Sequence, residues 1–340
     1  MKTIHIPKAG EMTVEDEPAQ SAGAGEVLLK LSHVGFCGSD LNTFLGRNTM
    51  ARPNVVPGHE IGAVVSALGP GVPAGLKPGD VVTVNPYTNC GMCTSCRRGR
   101  PNACRRNETL GVQRDGAMRE YIALPWQKVL PVDQGISPRD AALIEPMRVG
   151  FHAVDRAAVT DSDVVAVIGC GMVGLGAIAR AARRGATVIA VDISDEKLAI
   201  AKSLGAAYGV NSAKTPAAEG VLDLTGGDGA DVVIEAVGSP ATYVAAIDAA
   251  AFAGRVACIG YAKSEVAFQT KYFVQKELDI RGSRNATPGD FRAVMRLLAS
   301  GAAKVDGLVS AVVKPDGAKA AMERWAADPG RVFRILVDWS

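Results

Sequence analysis

The apolar and polar residues follow two different patterns along the chain, and the change comes at about residue 150. Before that point, short apolar or alternating runs are separated by turn-forming residues, as at Gly69-Pro70-Gly71 and Asp115-Gly116. The runs are Glu26 to Ser32, Ile61 to Leu68, Asp80 to Val84 and Met118 to Leu124. Short strands with frequent turns predict a compact, barrel-like β domain over residues 1–149.

After residue 150 the pattern alternates between apolar strands and helical segments. The predicted strands are Val164 to Ile168, Thr187 to Val191, Asp231 to Ala236 and Arg255 to Ile259, and the predicted helices are Met172 to Arg184, Asp195 to Leu204 and Ala241 to Ala251. This alternation predicts a doubly wound parallel sheet with helices on both faces. Thr287-Pro288 then opens another helix, and Val309 to Val313 and Phe333 to Trp339 read as strands. The fold class is α/β with two domains.

Composition and charge exclude some classes of function. The chain has 340 residues, with 37 Lys and Arg against 35 Asp and Glu, so its net charge of +2 is too small to indicate a nucleic-acid surface. Five arginines do cluster near the cysteines described next, where a solvated rim or a subunit contact explains them. No apolar stretch approaches the roughly 18 residues that a membrane span needs. We expect a cytoplasmic protein without membrane or nucleic-acid partners.

Four closely spaced cysteines indicate a metal site. Cys90, Cys93, Cys96 and Cys104 lie in a short segment that also holds Gly91 and other turn residues. Four thiolates at this spacing can close around one tetrahedral Zn²⁺ with no open position, which is the arrangement of a structural zinc. The alternative is a redox or disulfide cluster, which a chain without a secretory signal does not favour.

A glycine-rich turn indicates a dinucleotide site. It reads Gly169-Cys170-Gly171-Met172-Val173-Gly174 between an apolar strand and an Ala-rich helix. The first glycine permits the tight turn, the second admits the pyrophosphate and the third lets the helix pack on the sheet. Asp192 ends the next strand, where a carboxylate binds the adenosine ribose hydroxyls and repels a 2′-phosphate, which favours NAD. The alternative for Asp192 is a simple helix N-cap.

Three further residues offer ligands for a second zinc. Cys37, His59 and Glu60 supply a thiolate, an imidazole and a carboxylate from two glycine-flanked turns. A catalytic zinc needs about three protein ligands and one exchangeable position. Taken singly, Cys37 is also compatible with a buried apolar role and Glu60 with a surface charge.

The order and spacing of these motifs resemble those of the zinc-dependent medium-chain dehydrogenases, the family of alcohol, sorbitol and threonine dehydrogenases. The resemblance runs nearly end to end. Ala142 to Pro146 and Gly282 to Pro288 look most like bacterial dehydrogenases of sugar acids and sugar alcohols. The resemblance to the family implies a GroES-like catalytic domain over 1–149 and 287–340 and a Rossmann domain over 150–286. It also implies two bound zinc ions per chain, NAD as the cofactor, and assembly into a homodimer or homotetramer.

The resemblance also assigns roles to single residues. Cys37, His59 and Glu60 match the ligands of the catalytic zinc, and Glu145 matches a carboxylate that binds the metal directly or through water. Ser39 matches the hydroxyl that takes the proton of the alcohol. In the cofactor domain, Lys197 matches a position near the adenosine, and Gly238 and Gly260 match positions beside the nicotinamide. For Lys197 the alternative is a solvated helix face, and for Glu145 an acid at a helix N-terminus.

One position departs from the family. Relatives often have a histidine five residues after the ligand cysteine, to complete the proton path, and this chain has Asn42. Asn does not titrate near neutrality, so the proton must leave through water, Glu145 or another group. The departure weakens the case for a threonine dehydrogenase in particular.

The expected reaction is the NAD-dependent oxidation of a secondary alcohol, with Zn²⁺ lowering the pKa of the substrate hydroxyl. For the substrate we expect a sugar acid such as an aldonate, with a polyol or L-threonine as the alternatives. A carboxylate needs a fork-shaped cation, for which Arg47, Arg52, Arg148 and Arg284 are available. A polyol would use hydroxyl and amide partners: Asn42, Thr43, Asn48 and Asn285. Two remoter alternatives are a zinc-free quinone or enoyl reductase and a zinc-binding interaction protein without enzymatic activity.

Overall fold

The computed structural model describes residues 1–303 and 305–340 and divides the chain into two compact units. Unit 1 comprises residues 1–145 and 295–340, and unit 2 comprises residues 146–294. The domain limits predicted from the sequence were 149 and 287. Both division points lie inside helices in the structure, Ile144–Arg156 and Pro288–Ala299. Because the helical pattern continues across both points, the sequence pattern could not locate the boundaries between the units to the exact residue.

The strands in the described part of the chain are as follows. In chain order they are β1 (Lys2–His5), β2 (Thr13–Asp16), β3 (Glu26–Phe36), β4 (Glu60–Leu68), β5 (Val81–Val84), β6 (Tyr87–Thr88), β7 (Glu108–Thr109), β8 (Tyr121–Pro125), β9 (Val129–Pro131), β10 (Val164–Ile168), β11 (Thr187–Asp192), β12 (Tyr208–Asn211), β13 (Ala230–Glu235), β14 (Ala250–Cys258), β15 (Asp279–Gly282), β16 (Ala311–Val313) and β17 (Ile335–Asp338).

The helices in the same described residues are as follows. They are α1 (Gly38–Phe44), α2 (Thr94–Arg97), α3 (Pro138–Ala141), α4 (Ile144–Arg156), α5 (Met172–Arg183), α6 (Asp195–Ser203), α7 (Ala217–Leu224), α8 (Pro240–Ala249), α9 (Lys271–Gln275), α10 (Pro288–Ala299) and α11 (Ala318–Ala327). Short 3₁₀ turns cover Pro101–Ala103, Trp126–Lys128, Asp306–Leu308, Pro315–Gly317 and Pro329–Arg331.

Unit 1 is built on one large, mostly antiparallel sheet. Among the described residues its strand order is β16-β17-β3-β4-β5-β9, and β8 also pairs with β3. Val27, Leu29 and Leu31 alternate along β3 and are almost completely buried, as the period of a half-buried strand requires. The prediction of a β-rich first domain is confirmed.

Unit 2, which is described throughout, is built on a parallel sheet of six strands in the order β12-β11-β10-β13-β14-β15. The chain winds outward from β10 in both directions, so the order reverses between β10 and β13. In such sheets ligands bind at the carboxyl ends of the strands at this reversal. The predicted doubly wound sheet is confirmed, and it directs attention to the loops after β10 and β13.

Some predicted elements need correction. The predicted helix Ala241 to Ala251 ends at Ala249 in the structure, and β14 begins at Ala250, where Ala250 pairs with Ala230 of β13. Pairing with a buried strand here overrides the helix propensity of the Ala-rich run. Strands β12 and β15 were not predicted, because their short sequences are largely exposed and lack a clear apolar alternation. No helix in the described residues has the length and apolarity that crossing a membrane would take.

Candidate active site

The possible ligands of the second zinc come together because strands β3 and β4 pair. Their antiparallel register puts Gly35 opposite Glu60, so the end of β3 lies beside the start of β4. Cys37 follows β3 directly as the N-cap of α1, Glu60 is the first residue of β4, and His59 immediately precedes it. A Cβ on Gly35 would lie 2.3 Å from Oε2 of Glu60, so the glycine leaves room for the carboxylate where it lies.

The three side chains converge as a ligand set. One ligand atom from each of Cys37, His59 and Glu60 lies within 4.8 Å of the others. His59 and Glu60 are 5% and 0% exposed, and Nδ1 of His59 and both carboxylate oxygens of Glu60 are buried without a hydrogen bond to any described residue. Buried polar atoms normally have partners. A Zn²⁺ ion satisfies this donor set, and three protein ligands leave a position for substrate.

The electrostatics of this set favour a cation. Burial alone would lower the pKa of His59, yet its hydrogen bond to Cys37 and the charge of Asp40 raise it well above its ordinary value. Burial raises the pKa of Glu60 well above its usual range, against the opposing charge of Arg334. Several acidic groups thus lie close together in a largely buried site. A bound dication would stabilise the thiolate and the carboxylate together.

Two charged residues support the ligands. Asp40 is 0% exposed, and its Oδ2 accepts a 2.8 Å hydrogen bond from the backbone N–H of Cys37. A guanidinium nitrogen of Arg334 lies 3.0 Å from Oε1 of Glu60, an ion pair without hydrogen-bond alignment, and also donates to the carbonyl of Phe36. Arg334 immediately precedes β17, whose pairing with β3 brings it to this place. Sequence analysis did not identify it, since nothing near residue 334 indicates a metal site.

Glu145 lies beside the ligand set but is not part of it. Its charge acts on both His59 and Glu60, and the side chain is 3% exposed. Its Oε1 accepts a 2.8 Å hydrogen bond from the hydroxyl of Tyr87. In the described part of the chain, the group whose ligand atoms lie mutually within 4.8 Å contains Cys37, His59 and Glu60 without Glu145. Tyr87 is a second residue that sequence analysis missed.

The hydroxyl of Ser39 is available for a further contact. Ser39 lies on α1, two residues after Cys37, and its Oγ is buried without a hydrogen bond to described residues. Its carbonyl accepts from the hydroxyl of Thr43 at 2.9 Å, and Asn48 donates to Thr43 at 3.0 Å. Side-chain and main-chain hydrogen bonds therefore link this turn of α1, where Asn42 also lies.

The four clustered cysteines form a second ligand group. One sulfur of each of Cys90, Cys93, Cys96 and Cys104 lies within 4.8 Å of the others. The hydroxyl of Ser95 and neighbouring backbone N–H groups lower the pKa of Cys93 to about 5. Burial and hydrogen bonds to Cys93 and Cys104 raise the pKa of Cys96 to about 12, because a second thiolate is costly beside the first. A bound Zn²⁺ would neutralise the repulsion between neighbouring thiolates, so the group fits a closed Cys₄ site.

The arginines around the cysteines are exposed, as expected for a solvated rim. They are Arg97, Arg98, Arg100, Arg105 and Arg106.

The glycine fingerprint has the geometry of a pyrophosphate loop. Gly169 has φ +97°, a left-handed conformation that favours glycine, and a Cβ on Gly174 would lie 1.8 Å from the carbonyl oxygen of Gly169. Gly171 is the N-cap of α5, and a Cβ there would meet no atom within 4 Å. The N-terminus of α5, at Met172 and Val173, therefore faces open space in which a phosphate can approach the backbone N–H groups.

Asp192 closes this loop at the end of β11. Its Oδ2 accepts from the backbone N–H of Cys170 at 2.7 Å, and its Oδ1 from that of Ser194 at 3.0 Å. The helix N-cap is Ser194, whose hydroxyl accepts from the N–H of Lys197. The alternative interpretation of Asp192 as the N-cap is therefore wrong. Each carboxylate oxygen keeps lone pairs for the hydroxyls of a ribose.

Gly238 and Gly260 meet at the carboxyl ends of β13 and β14. Gly238 has φ +82°, and a Cβ on Gly260 would lie 2.2 Å from the backbone nitrogen of Gly238. The buried Glu235 braces the loop, since its Oε1 accepts from the N–H groups of Val237 and Gly238 and from the hydroxyl of Thr242. The two glycines predicted to border the nicotinamide are thus packed together at the edge of the sheet where ligands bind.

The four arginines proposed for a substrate carboxylate differ in their surroundings. Arg148 is 0% exposed, and its guanidinium carbon lies 4.2 Å from the ring centre of Phe291. Arg52 forms a 3.1 Å ion pair with Asp115, whereas Arg47 and Arg284 are exposed.

Comparison with known proteins agrees with this geometry. Residues 23–134 match the family model of the alcohol dehydrogenase GroES-like domain, and residues 172–300 match that of the zinc-binding dehydrogenases. The L-galactonate-5-dehydrogenase of Escherichia coli K12 is 37% identical over 311 residues, which are 91% of each chain. The chain belongs to the zinc-dependent medium-chain dehydrogenases. It is a dehydrogenase of the zinc type, and the expected fold, zinc and nicotinamide dinucleotide are confirmed.

The chain is also similar to two further dehydrogenases. The sorbitol dehydrogenase of Halalkalibacterium halodurans is 33% identical over 302 residues, covering 88% of this chain and 87% of that protein. An alcohol dehydrogenase of E. coli CFT073, solved in complex with NADH, superposes with a TM-score of 0.91 at 28% identity and covers 99% of both chains. The zinc-free reductase and the non-enzymatic zinc-binding protein are therefore not needed to explain the chain.

Proposed function

We propose that this dehydrogenase uses NAD to oxidise a secondary alcohol of a sugar acid or a polyol. The observation that carries the proposal is the convergence of Cys37, His59 and Glu60. Nδ1 of His59 and both carboxylate oxygens of Glu60 are buried there without a hydrogen bond to the described residues. The same chain carries a pyrophosphate loop with Asp192 at the end of the following strand. Metal-assisted hydride transfer to a nicotinamide is the reaction that needs both a catalytic metal site and a dinucleotide site.

Cys37, His59 and Glu60 would hold the catalytic zinc, and the four clustered cysteines would hold a structural one. A catalytic zinc acts as a Lewis acid that lowers the pKa of a substrate hydroxyl, and NAD accepts the hydride. Asp40 positions the proposed zinc ligands. Its carboxylate accepts a hydrogen bond from the N–H of Cys37 and places negative charge near His59. Arg334 balances the charge of Glu60, so the carboxylate can remain in a buried site.

Ser39 is our candidate for the group that takes the proton of the alcohol. Its Oγ is buried and has no hydrogen-bond partner among the described residues, so it can accept a proton from a substrate and donate its own onward. Position 42 is Asn and cannot complete the path by titration. Glu145, buried beside His59 and Glu60, is the alternative acceptor of the alcohol proton, either directly or through water.

Asp192 supports NAD in preference to NADP. Its carboxylate is held by two backbone N–H groups at the pyrophosphate loop. A 2′-phosphate placed on the ribose there would meet this negative charge, while two ribose hydroxyls would donate to it. Gly169, Gly171, Met172, Val173 and Gly174 would line the pyrophosphate, Lys197 would lie near the adenosine, and Gly238 and Gly260 would border the nicotinamide.

For the substrate, we place a sugar acid slightly ahead of a polyol. The resemblance to L-galactonate-5-dehydrogenase supports the acid. Exposed Arg47 and Arg284 are candidate partners for its carboxylate, because guanidinium groups bind carboxylates in a bidentate manner. A specific observation keeps the polyol as second candidate: Arg148 is fully buried against Phe291, and Arg52 is already paired with Asp115.

A substrate panel tests the proposal. Aldonates and alditols of matched carbon skeleton are offered with NAD, and reduction is followed by the absorbance of NADH. We expect at least one class to be oxidised, with the aldonate preferred. Arg47→Lys or Arg284→Lys should then raise KM for the acid more than for the alditol, with Arg331→Lys as an exposed control. Oxidation of neither class would overturn the proposed substrate, and preference for the alditol would select the second candidate.

A further inference from the structure

The phenol of Tyr87 and the carboxylate of Glu145 form a contact at the edge of the candidate catalytic site. The hydroxyl donates to Oε1 of Glu145 at 2.8 Å, within unit 1. Glu145 is 3% exposed and acts electrostatically on His59 and Glu60. The carboxylate is therefore close enough to influence the ligand set, and a neutral donor already occupies one of its oxygens.

The position of Tyr87 is fixed by its own backbone. Its strand β6 pairs with β7, placing Tyr87 opposite Thr109. Its N–H donates to Asn85, and its carbonyl accepts from the ammonium of Lys128. The phenol thus projects from an anchored segment, and the hydroxyl can hold a carboxylate in a defined place.

Glu145 has the chemistry of a fourth zinc ligand. Carboxylate oxygens bind Zn²⁺ at about 2.0–2.2 Å, and four ligands close a tetrahedral site. A closed site has no position for a substrate hydroxyl. A catalytic site with three protein ligands and a nearby carboxylate therefore needs something that keeps the carboxylate from binding the metal.

We propose that Tyr87 is a positioning residue that holds Glu145 outside the zinc ligand set and so keeps the fourth coordination position open for substrate. The inference rests on the proposed function, because it requires zinc on Cys37, His59 and Glu60. Losing the hydroxyl removes this hydrogen bond and lets Glu145 turn to the metal. Tyr87 makes no contact with the reacting atoms in this role and acts through Glu145.

Two readouts on Tyr87→Phe test the inference. The first is the rate of zinc release to a chromophoric chelator, with the Cys₄ zinc of the same molecule as internal reference. We expect the catalytic zinc to leave about tenfold more slowly, because a fourth protein ligand must also dissociate before the metal is released. The second is the visible spectrum of enzyme carrying Co²⁺ at the catalytic site, which should change because the ligand number changes. Turnover should fall in parallel.

Matched variants separate a positioning role from a general effect. Tyr208→Phe removes a hydroxyl from a 47%-exposed tyrosine of β12 and should change neither readout. Glu145→Gln replaces the carboxylate by a poor ligand, and adding Tyr87→Phe to it should produce no further change. Circular dichroism and thermal unfolding establish that each variant is folded.

The outcomes distinguish this inference from the proposed function. If wild-type enzyme holds zinc only in the Cys₄ site, the proposed function fails. If two zinc ions are present but folded Tyr87→Phe releases zinc at the wild-type rate with an unchanged Co²⁺ spectrum, the inference is overturned. Faster release would also overturn it, since it would mean that Tyr87 directs Glu145 toward the metal. If Tyr87→Phe changed the zinc release rate and the Co²⁺ spectrum equally in the wild-type and Glu145→Gln backgrounds, Tyr87 would not act through Glu145.

Discussion

The guanidinium of Arg334 lies 3.0 Å from the carboxylate of Glu60, and the two side chains are 6% and 0% exposed. The pair joins the start of β17 to the start of β4 at the candidate catalytic site. Removing one partner of a buried ion pair leaves the other charge uncompensated and typically costs about 3–5 kcal/mol. The contact therefore couples the stability of unit 1 to the charge of the metal site.

Arg334→Met should lower the free energy of unfolding of the metal-free protein by about 3–5 kcal/mol, because Glu60 loses its counter-charge. Saturating Zn²⁺ should restore part of this loss, since a bound dication also neutralises Glu60. Urea unfolding with and without zinc measures both effects. Arg331→Met, at an 86%-exposed position, is the control and should change stability little. A metal-free Arg334→Met protein as stable as wild type would show that the ion pair is not important.

Asp290 gives a prediction about pH. Burial works to raise its pKa, but hydrogen bonds from His152 and Thr287 lower it below the ordinary value. Because the folded pKa is depressed, the ionised carboxylate stabilises the fold above its unfolded pKa of about 3.9, and this stabilisation is lost as the pH falls through the folded pKa.

Asp290→Asn should therefore destabilise the protein by about 2 kcal/mol at pH 7, from the loss of hydrogen bonds to a charged group. The difference from wild type should narrow as the pH is lowered below about 4. Thermal unfolding across this range provides the measurement, with Asp316→Asn as a control at a 76%-exposed carboxylate. A difference that stays constant down to pH 2 would refute the assigned role of the charge.

Asp192→Asn tests the choice of cofactor. It removes the negative charge and keeps one side-chain oxygen, which can accept from one of the two N–H groups, of Cys170 and Ser194, that the carboxylate of Asp192 accepts from. We expect the variant to bind NAD more weakly. The ratio of kcat/KM with NAD to kcat/KM with NADP should fall about tenfold. Asp195→Asn, an exposed acid three residues along the chain, should leave the preference unchanged. A wild-type preference for NADP would disprove the reading of Asp192.

Ser39→Ala tests the proton path. Because the hydroxyl is needed only when the alcohol loses its proton, kcat should fall about 10²-fold or more while NAD affinity is retained. Asn42→His should raise the rate or shift its pH profile if the remaining geometry is intact. Near-normal turnover of Ser39→Ala together with a strong loss in Glu145→Gln would move the proton path to the metal-side carboxylate.

Local patterns predicted most of the fold. The strand Val164–Ile168 was predicted with its observed limits, because a buried parallel strand is apolar throughout. The failures came where tertiary pairing decides the structure. Ala250 joins β14 because it pairs with Ala230, although the surrounding Ala-rich sequence favours a helix. Asp279–Gly282 is an edge strand with exposed side chains, so its sequence shows no apolar period.

For the candidate site, the sequence predicted which three residues come together as possible zinc ligands but did not predict the residues that contact them. Cys37, His59 and Glu60 lie in recognisable turns, and the pairing of β3 with β4 brings them together. Arg334 and Tyr87 reach the site only through the fold, from positions with no metal-binding motif around them. A side chain that supports another through space has no local signal in a single sequence.

The most direct test of the central claim is the zinc content of wild type and His59→Ala, measured on the same preparations as NAD binding and turnover. We predict two zinc ions per chain in active wild type. His59→Ala should keep one zinc, remain folded and bind NAD with little change, yet show no measurable hydride transfer. A fully active wild type with a single zinc, or a His59→Ala variant that keeps both metals and turns over normally, would contradict a catalytic zinc on Cys37, His59 and Glu60.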